Sequence, residues 1–97
     1  MKRGNKMKSM ICETEERDFT LKYFKGKVEG EDGETFYEII VEKFIGGVLK
    51  DVIGTGPITE SESQVESVIE ILARNTVTPL TLLEIVDDML NSTPAHS

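Results

Sequence analysis

The stretch RNTVTPLTLLEIVDDML, Arg74 to Leu90, places three carboxylates, Glu84, Asp87 and Asp88, within five residues of a helical pattern. Carboxylates at this spacing can hold a divalent cation, and burial can raise the pKa of one of them into the range of a general acid or base. All three project from the side opposite the apolar positions, where polar side chains are ordinarily solvated. Asp87 and Asp88, in the last turn, also meet the negative end of the helix dipole, which costs about 0.3–1 kcal/mol for each exposed carboxylate. A nearby lysine or a bound cation would offset that cost. Magnesium, however, usually shares its shell with substrate phosphates, and calcium needs about six to eight oxygens. Three carboxylates on one helix supply neither shell. A solvated helix face is therefore expected, with metal binding or metal-assisted catalysis by Glu84, Asp87 and Asp88 as the alternative.

Other residue types that carry chemistry are sparse. Gly54-Thr55-Gly56-Pro57 lies between a strand-like and a helix-like segment, the usual place of a phosphate-binding loop. It lacks the Walker lysine and the GxGxxG spacing, and Pro57 removes a backbone donor. Glu60 and Glu62 put negative charge where an anion would sit, so a plain turn is expected. The single histidine, His96, is in the terminal tail, where disorder is commoner than catalysis. Cys12 has no fixed imidazole and no evident cationic pocket to activate it, so it reads as a small hydrophobe. As the single cysteine it excludes an internal disulfide and a multi-cysteine zinc site, in keeping with a reducing cytosol. No catalytic residue and no cofactor is expected.

Charge narrows the partners. Lys2, Arg3, Lys6 and Lys8 put +4 in the first eight residues of a chain whose total is −7, so the other 89 residues carry −11. A body that acidic repels a phosphate backbone, and nucleic acid is not expected as a partner. No apolar run approaches the roughly 18 residues of a membrane span, and nothing at the start resembles a signal peptide's apolar core. Neither a membrane partner nor a location outside the cytoplasm is expected. Residues 1–9 read as a flexible basic leader, 10–91 as a single domain and 92–97 as a flexible tail.

The elements that would position these groups follow from periodicity. Asp18 to Val28 and Glu34 to Ile45 are rich in aromatic and β-branched residues and read as strands. Between them Asp32-Gly33 suits the centre of a two-residue type I′ turn. That turn sets Val28 opposite Tyr37, Phe24 opposite Val41 and Lys27 opposite Glu38. Gly46-Gly47 leads to a further strand from Val48 to about Gly54. A simple two-residue loop there sets Glu42 against Asp51 and Lys43 against Lys50, an unfavourable like-charge register that a bulge or a longer loop would relieve. Lys8 to Thr14 is a candidate fourth strand.

After GTGP the apolar period becomes that of a helix. Thr59, Ser61 and Ser63 each have a capping-box partner three residues on, Val65, Val68, Ile69 and Leu72 form one stripe, and Asn75 closes the helix. A second helix starts at Thr78-Pro79, with Leu82, Leu83, Ile85, Val86, Met89 and Leu90 on its apolar side. The order predicts an α+β fold: an antiparallel three- or four-stranded β-meander followed by two C-terminal helices packed on one sheet face.

If the helices cover the side bearing Phe24, Val28, Tyr37, Ile39 and Val41, then Phe19, Leu21, Tyr23, Phe36, Ile40 and Phe44 point away from them. Ile71 and Leu80 are further apolar residues on the polar sides of their helices. Contiguous apolar surface of this kind often marks an interface. These eight residues are the candidate interaction surface. The expected function is that of a non-enzymatic protein-interaction or regulatory module, homodimeric through the second sheet face.

The run SQVESVIEILARNTVTPLTLLEIVDDML, with the pattern NxVTPxxLxxxVxDxL, and the aromatic strand FYEIIVEK resemble a family of small uncharacterised proteins of spore-forming Gram-positive bacteria, domain of unknown function 6514. The resemblance implies a compact cytoplasmic αβ protein and brings no assigned activity or site residue with it. The basic leader and the doubling of the aspartate, Asp87 beside Asp88, depart from that pattern and carry no family role.

Overall fold

The computed structural model describes residues 6–91. Four strands precede two helices: β1 (Lys6–Glu15), β2 (Thr20–Glu29), β3 (Thr35–Ile45), β4 (Val48–Gly54), α1 (Glu62–Arg74) and α2 (Pro79–Asn91). The strands form one antiparallel sheet in the order β1-β2-β3-β4, the expected α+β meander with its fourth strand at the N-terminal end. β1 begins at Lys6, within the segment read as leader. Residues 1–5 and the tail 92–97, with His96, lie outside the described residues.

The β2–β3 hairpin departs from the expected register, and its loop explains why. Gly33 N–H donates to the Gly30 carbonyl at 3.2 Å and Gly30 N–H to the Glu34 carbonyl at 2.7 Å, with Gly33 at φ +82°. This is a three-residue loop of Glu31, Asp32 and Gly33, closed by a left-handed glycine, where a two-residue turn was expected. The pairing slips by one residue: Val28 meets Phe36, Phe24 meets Ile40, and Lys27 meets Tyr37. A slip of one moves every side chain of a strand to the other face. Leu21 and Tyr23, expected on the free side, therefore lie fully buried beneath the helices with Ile39 and Val41, and Phe19 packs at the edge of the same cluster. Phe24 and Val28, expected beneath the helices, lie on the other side. Composition favours this outcome. The alternate set of β2 would have put Lys22 and the side-chain-less Gly26 into the middle of the core, and a buried lysine is heavily penalised.

At the next hairpin Gly46 and Gly47, both at positive φ, make the two-residue turn, with Ile45 paired to Val48 and Phe44 to Leu49. The ladder then shifts by one residue, so that Lys43 faces Asp51 and Glu42 faces Val52. The bulge sits at Lys50, the third residue of β4, and it replaces both like-charge pairs of the unbulged register with an opposite-charge pair and a neutral one.

α1 is capped by Ser61, whose Oγ accepts the Gln64 N–H at 3.2 Å. Thr59 supplies the other arm: its Oγ1 accepts the Ser61 N–H and bonds the Gln64 side chain. The helix ends in a Schellman motif, with Val77 N–H bonded to the Leu72 carbonyl and Thr76 N–H to that of Ala73. Thr76 takes the left-handed position at φ +53°, a conformation that a β-branched residue rarely adopts. The motif turns Val77 into the core beside Val65, Val68, Ile69 and Leu72 of α1 and Leu82 and Val86 of α2. α1 packs across β1, β2 and β3, whereas α2 packs on β3 and β4.

Polar contacts pin the two layers together. Lys25 of β2 bonds Glu66 at 2.6 Å and also Glu62, which raises the Lys25 pKa and lowers that of Glu62. The buried Tyr23 hydroxyl donates to the Val77 carbonyl at 2.9 Å. Burial pushes this phenol from its ordinary 10.0 up to about 12, against the smaller downward pull of the Thr14 hydroxyl. The folded state thus binds this proton more tightly than the unfolded state, so its contribution is complete below pH 10 and is lost as pH rises towards about 12. Urea titrations across that window are expected to show stability falling by up to ~1.4 kcal/mol per pH unit from this group. Tyr23→Phe is expected to be ~1 kcal/mol less stable at pH 7 and to show a shallower alkaline fall. Parallel curves for the two proteins would contradict this.

Candidate functional site

Because residues that face each other in a ladder share a side, the even-numbered residues of β2 and β3 form a sheet face on which neither helix packs. Phe24 and Val28 lie there beside Phe36, Ile40 and Phe44, with Met10 of β1 and Leu49 and Val52 of β4 at the margins. Met10, Leu49 and Val52 are 45–50% exposed, and the more central residues are half-buried. Lysines and glutamates thread this surface. Lys8 lies 4.3 Å from the centroid of the Phe24 ring and reaches Glu42 at 2.8 Å, while Lys22 lies 4.7 Å from that of Phe44. Both signs of charge are therefore present between the apolar side chains.

At the centre of this face Glu38 is only 2% exposed. Its side chain lies in a furrow left by two glycines. A Cβ at Gly26 would stand 2.6 Å from Glu38 Cγ, and one at Gly54 would stand 3.9 Å from Glu38 Oε1. Sequence patterning gave no hint of this residue, which looked like one half of a surface pair with Lys27. The signal was the placement of glycine in two neighbouring strands, which becomes legible only in the correct register.

Of the eight expected surface residues, the structure gathers Phe36, Ile40 and Phe44 on the helix-free face. Phe19, Leu21 and Tyr23 belong to the opposite side, for the register reason given above, and do not form part of that surface. Ile71 and Leu80 are exposed, at 38% and 87%, but they sit in the helix layer, away from the phenylalanines.

The acid-rich end of α2 is open to solvent. Glu84, Asp87 and Asp88 are exposed, and Asp87 accepts a hydrogen bond from Asn91 at 2.7 Å. Among the described residues no group of three or more His, Cys, Asp or Glu side chains could hold a metal ion. Glu84 and Asp87 instead edge an open groove of about 460 Å3 between α2 and the chain entering α1, floored by Ile58, Leu83, Val86 and Leu90. Leu83 and Leu90, expected against the sheet, line this groove and stay 52% and 37% exposed.

Thr55 and Ile58 tie the GTGP segment and the residue after it to β3. Thr55 N–H bonds the Ile39 carbonyl at 2.9 Å, Thr55 Oγ1 accepts the Ile39 N–H at 3.0 Å, and Ile58 N–H bonds the Tyr37 carbonyl at 2.9 Å. The segment extends the ladder along β3. Cys12 is half-buried, and burial followed by the Glu70 charge pushes its thiol pKa up, away from the nucleophilic thiolate. No described helix is long and apolar enough to cross a membrane.

The model of a family of unknown function, DUF6514, matches residues 2–92. No curated protein and no solved structure matches the chain.

Proposed function

The chain belongs to the DUF6514 family, and from its geometry we propose that it is a non-enzymatic interaction or regulatory module of the bacterial cytoplasm, joining a second copy of itself through the helix-free sheet face. One observation carries the reading. Three of the four phenylalanines, with Ile40 and Val28, lie together on the side of the sheet away from both helices. Apolar groups brought together in this way are favourable to bury and are a recurrent mark of contact surfaces.

The polar groups on the same face favour a second copy as its occupant. Lys8 and Lys22 lie among Glu13, Glu38 and Glu42, so two copies related by a two-fold axis can set lysines against glutamates while the rings interleave. Sheets that stack face to face stand about 10 Å apart, a spacing that large apolar side chains fill. The same lysines, resting over Phe24 and Phe44, shield the rings in a lone chain and keep it soluble until it pairs.

Light scattering on the purified protein at micromolar concentration tests this. The wild-type assembly is expected to exceed one chain in mass, and Ile40→Lys is expected to halve that mass while leaving the circular dichroism and the melting cooperativity intact. A single-chain wild type, or a folded Ile40→Lys variant of undiminished mass, would contradict the proposal.

A further inference from the structure

The outer edge of β4, the last strand of the sheet, lies open beside the helix-free face. Six of the seven β4 residues are exposed, and Val48, Leu49 and Val52 are 45–56% exposed. Such an edge offers unpaired backbone groups to any strand that can match it. The outward groups can be identified from the ladder. Thr55 N–H bonds the Ile39 carbonyl, so Ile53 and Asp51, two and four residues back, also direct their backbone groups at β3. Val52 then faces outward, and its N–H is met only by its own neighbour, Asp51 Oδ1, at 3.0 Å. Beyond the bulge, Leu49 follows the turn-closing pair Ile45–Val48 and by the same alternation faces outward too.

The geometry points to an antiparallel pairing of β4 with β4 of a second copy, centred on a two-fold axis between Lys50 and Asp51. This register sets Leu49 opposite the second copy's Val52, and the two outward residues can then exchange both of their backbone hydrogen bonds. It sets Lys50 opposite Asp51 twice over, an opposite-charge pair that favours cross-strand association. It also sets Val48 opposite Ile53. The bulge makes the faces agree. Leu49 and Val52 differ by an odd number of residues, yet both lie on the helix-free side, because Lys50 is the extra residue between them. Val48 and Ile53 share the helix side in the same way, through their partners Ile45 and Val41. No other isologous register near the strand centre does this: one centred on Asp51 would place that carboxylate against its own copy.

Pairing would continue the sheet from four strands to eight, with both helix layers on one side and a doubled phenylalanine face on the other. Its two-fold axis runs normal to the sheet, whereas the axis for face-to-face stacking lies parallel to it, so the two contacts are compatible in one closed assembly. Asp51 acts as the latch. In the lone chain it occupies the Val52 N–H, and on pairing it exchanges that donor for Lys50 of the second copy.

The Ile40→Lys background isolates this contact from the face-to-face one, and native mass spectrometry with light scattering reads it. In that background a mass of two chains is expected. Lys50→Asp, Asp51→Lys and Val52→Pro are each expected to reduce it to one chain, the proline because an edge strand tolerates the loss of an outward N–H while a pairing strand does not. Mixing the Lys50→Asp and Asp51→Lys proteins is expected to restore a two-chain species containing one of each. That rescue also shows that the single variants are folded. An Ile40→Lys protein that is already a single chain, single variants that stay at two chains, or a mixture without the hybrid would overturn the edge contact. The face-to-face proposal stands or falls separately, on the comparison of wild type with Ile40→Lys.

Discussion

Tyr23→Ala is expected to cost about 3–5 kcal/mol of folding stability, the usual range for truncating a large buried aromatic, while Phe24→Ala, one residue along the same strand, is expected to cost about 1 kcal/mol. Tyr23 is fully buried between sheet and helices, and its hydroxyl satisfies the Val77 carbonyl at the joint between α1 and α2. Truncation removes the ring and leaves that carbonyl without its donor. Phe24 is half-buried on the helix-free side, where Lys8 and water can close over the gap. Denaturant titrations of the two variants decide the register as well as the energetics. With a two-residue Asp32-Gly33 turn, Phe24 would be the core residue and the order of the two costs would reverse.

The second large effect is expected at Gly26. This glycine is buried in the middle of β2, and a methyl group there would stand 2.6 Å from Glu38 Cγ and 2.8 Å from its Oε2. The obstruction lies near the base of the Glu38 side chain, so relief requires the whole carboxylate to leave its furrow. Gly26→Ala is therefore expected to destabilise by about 1–3 kcal/mol, the range for overpacking a closed site. Because the clash is with one side chain, most of the cost should vanish in a Glu38→Ala background. A double-mutant cycle measured by urea unfolding is expected to show a coupling of about 1 kcal/mol or more, and additive effects would show that the furrow is not the cause.

The fold class was legible because its signals are local. β-branched and aromatic runs, a change of period after GTGP and a proline at the first turn of α2 each mark an element without reference to the others. The side of the sheet that each strand presents was legible for β3 and not for β2. Tyr37, Ile39 and Val41 do face the helices, but the partner strand was placed through an assumed turn, and one additional loop residue reversed it. The decisive quantity was the relative tolerance for Lys22 or Lys25 inside the core. Lys25 can reach Glu62 and Glu66 at the start of α1, so the helix side accepts it at the margin. The bulge at Lys50 was half legible: charge pairing required a shift somewhere, but its position depends on how β4 twists away from the glycines. The groove beside α2 and the furrow holding Glu38 were hidden, since each joins residues far apart in the sequence.

The reading of the helix-free face as a contact surface is tested most directly by hydroxyl-radical footprinting over a dilution series from high to low micromolar concentration. All four phenylalanines report, and Phe19, packed against the core on the helix side, serves as the internal reference. The expected result is that Phe24, Phe36 and Phe44 gain reactivity together as the assembly dissociates, while Phe19 does not change. Oxidation rates at those three rings that are independent of protein concentration would contradict the reading.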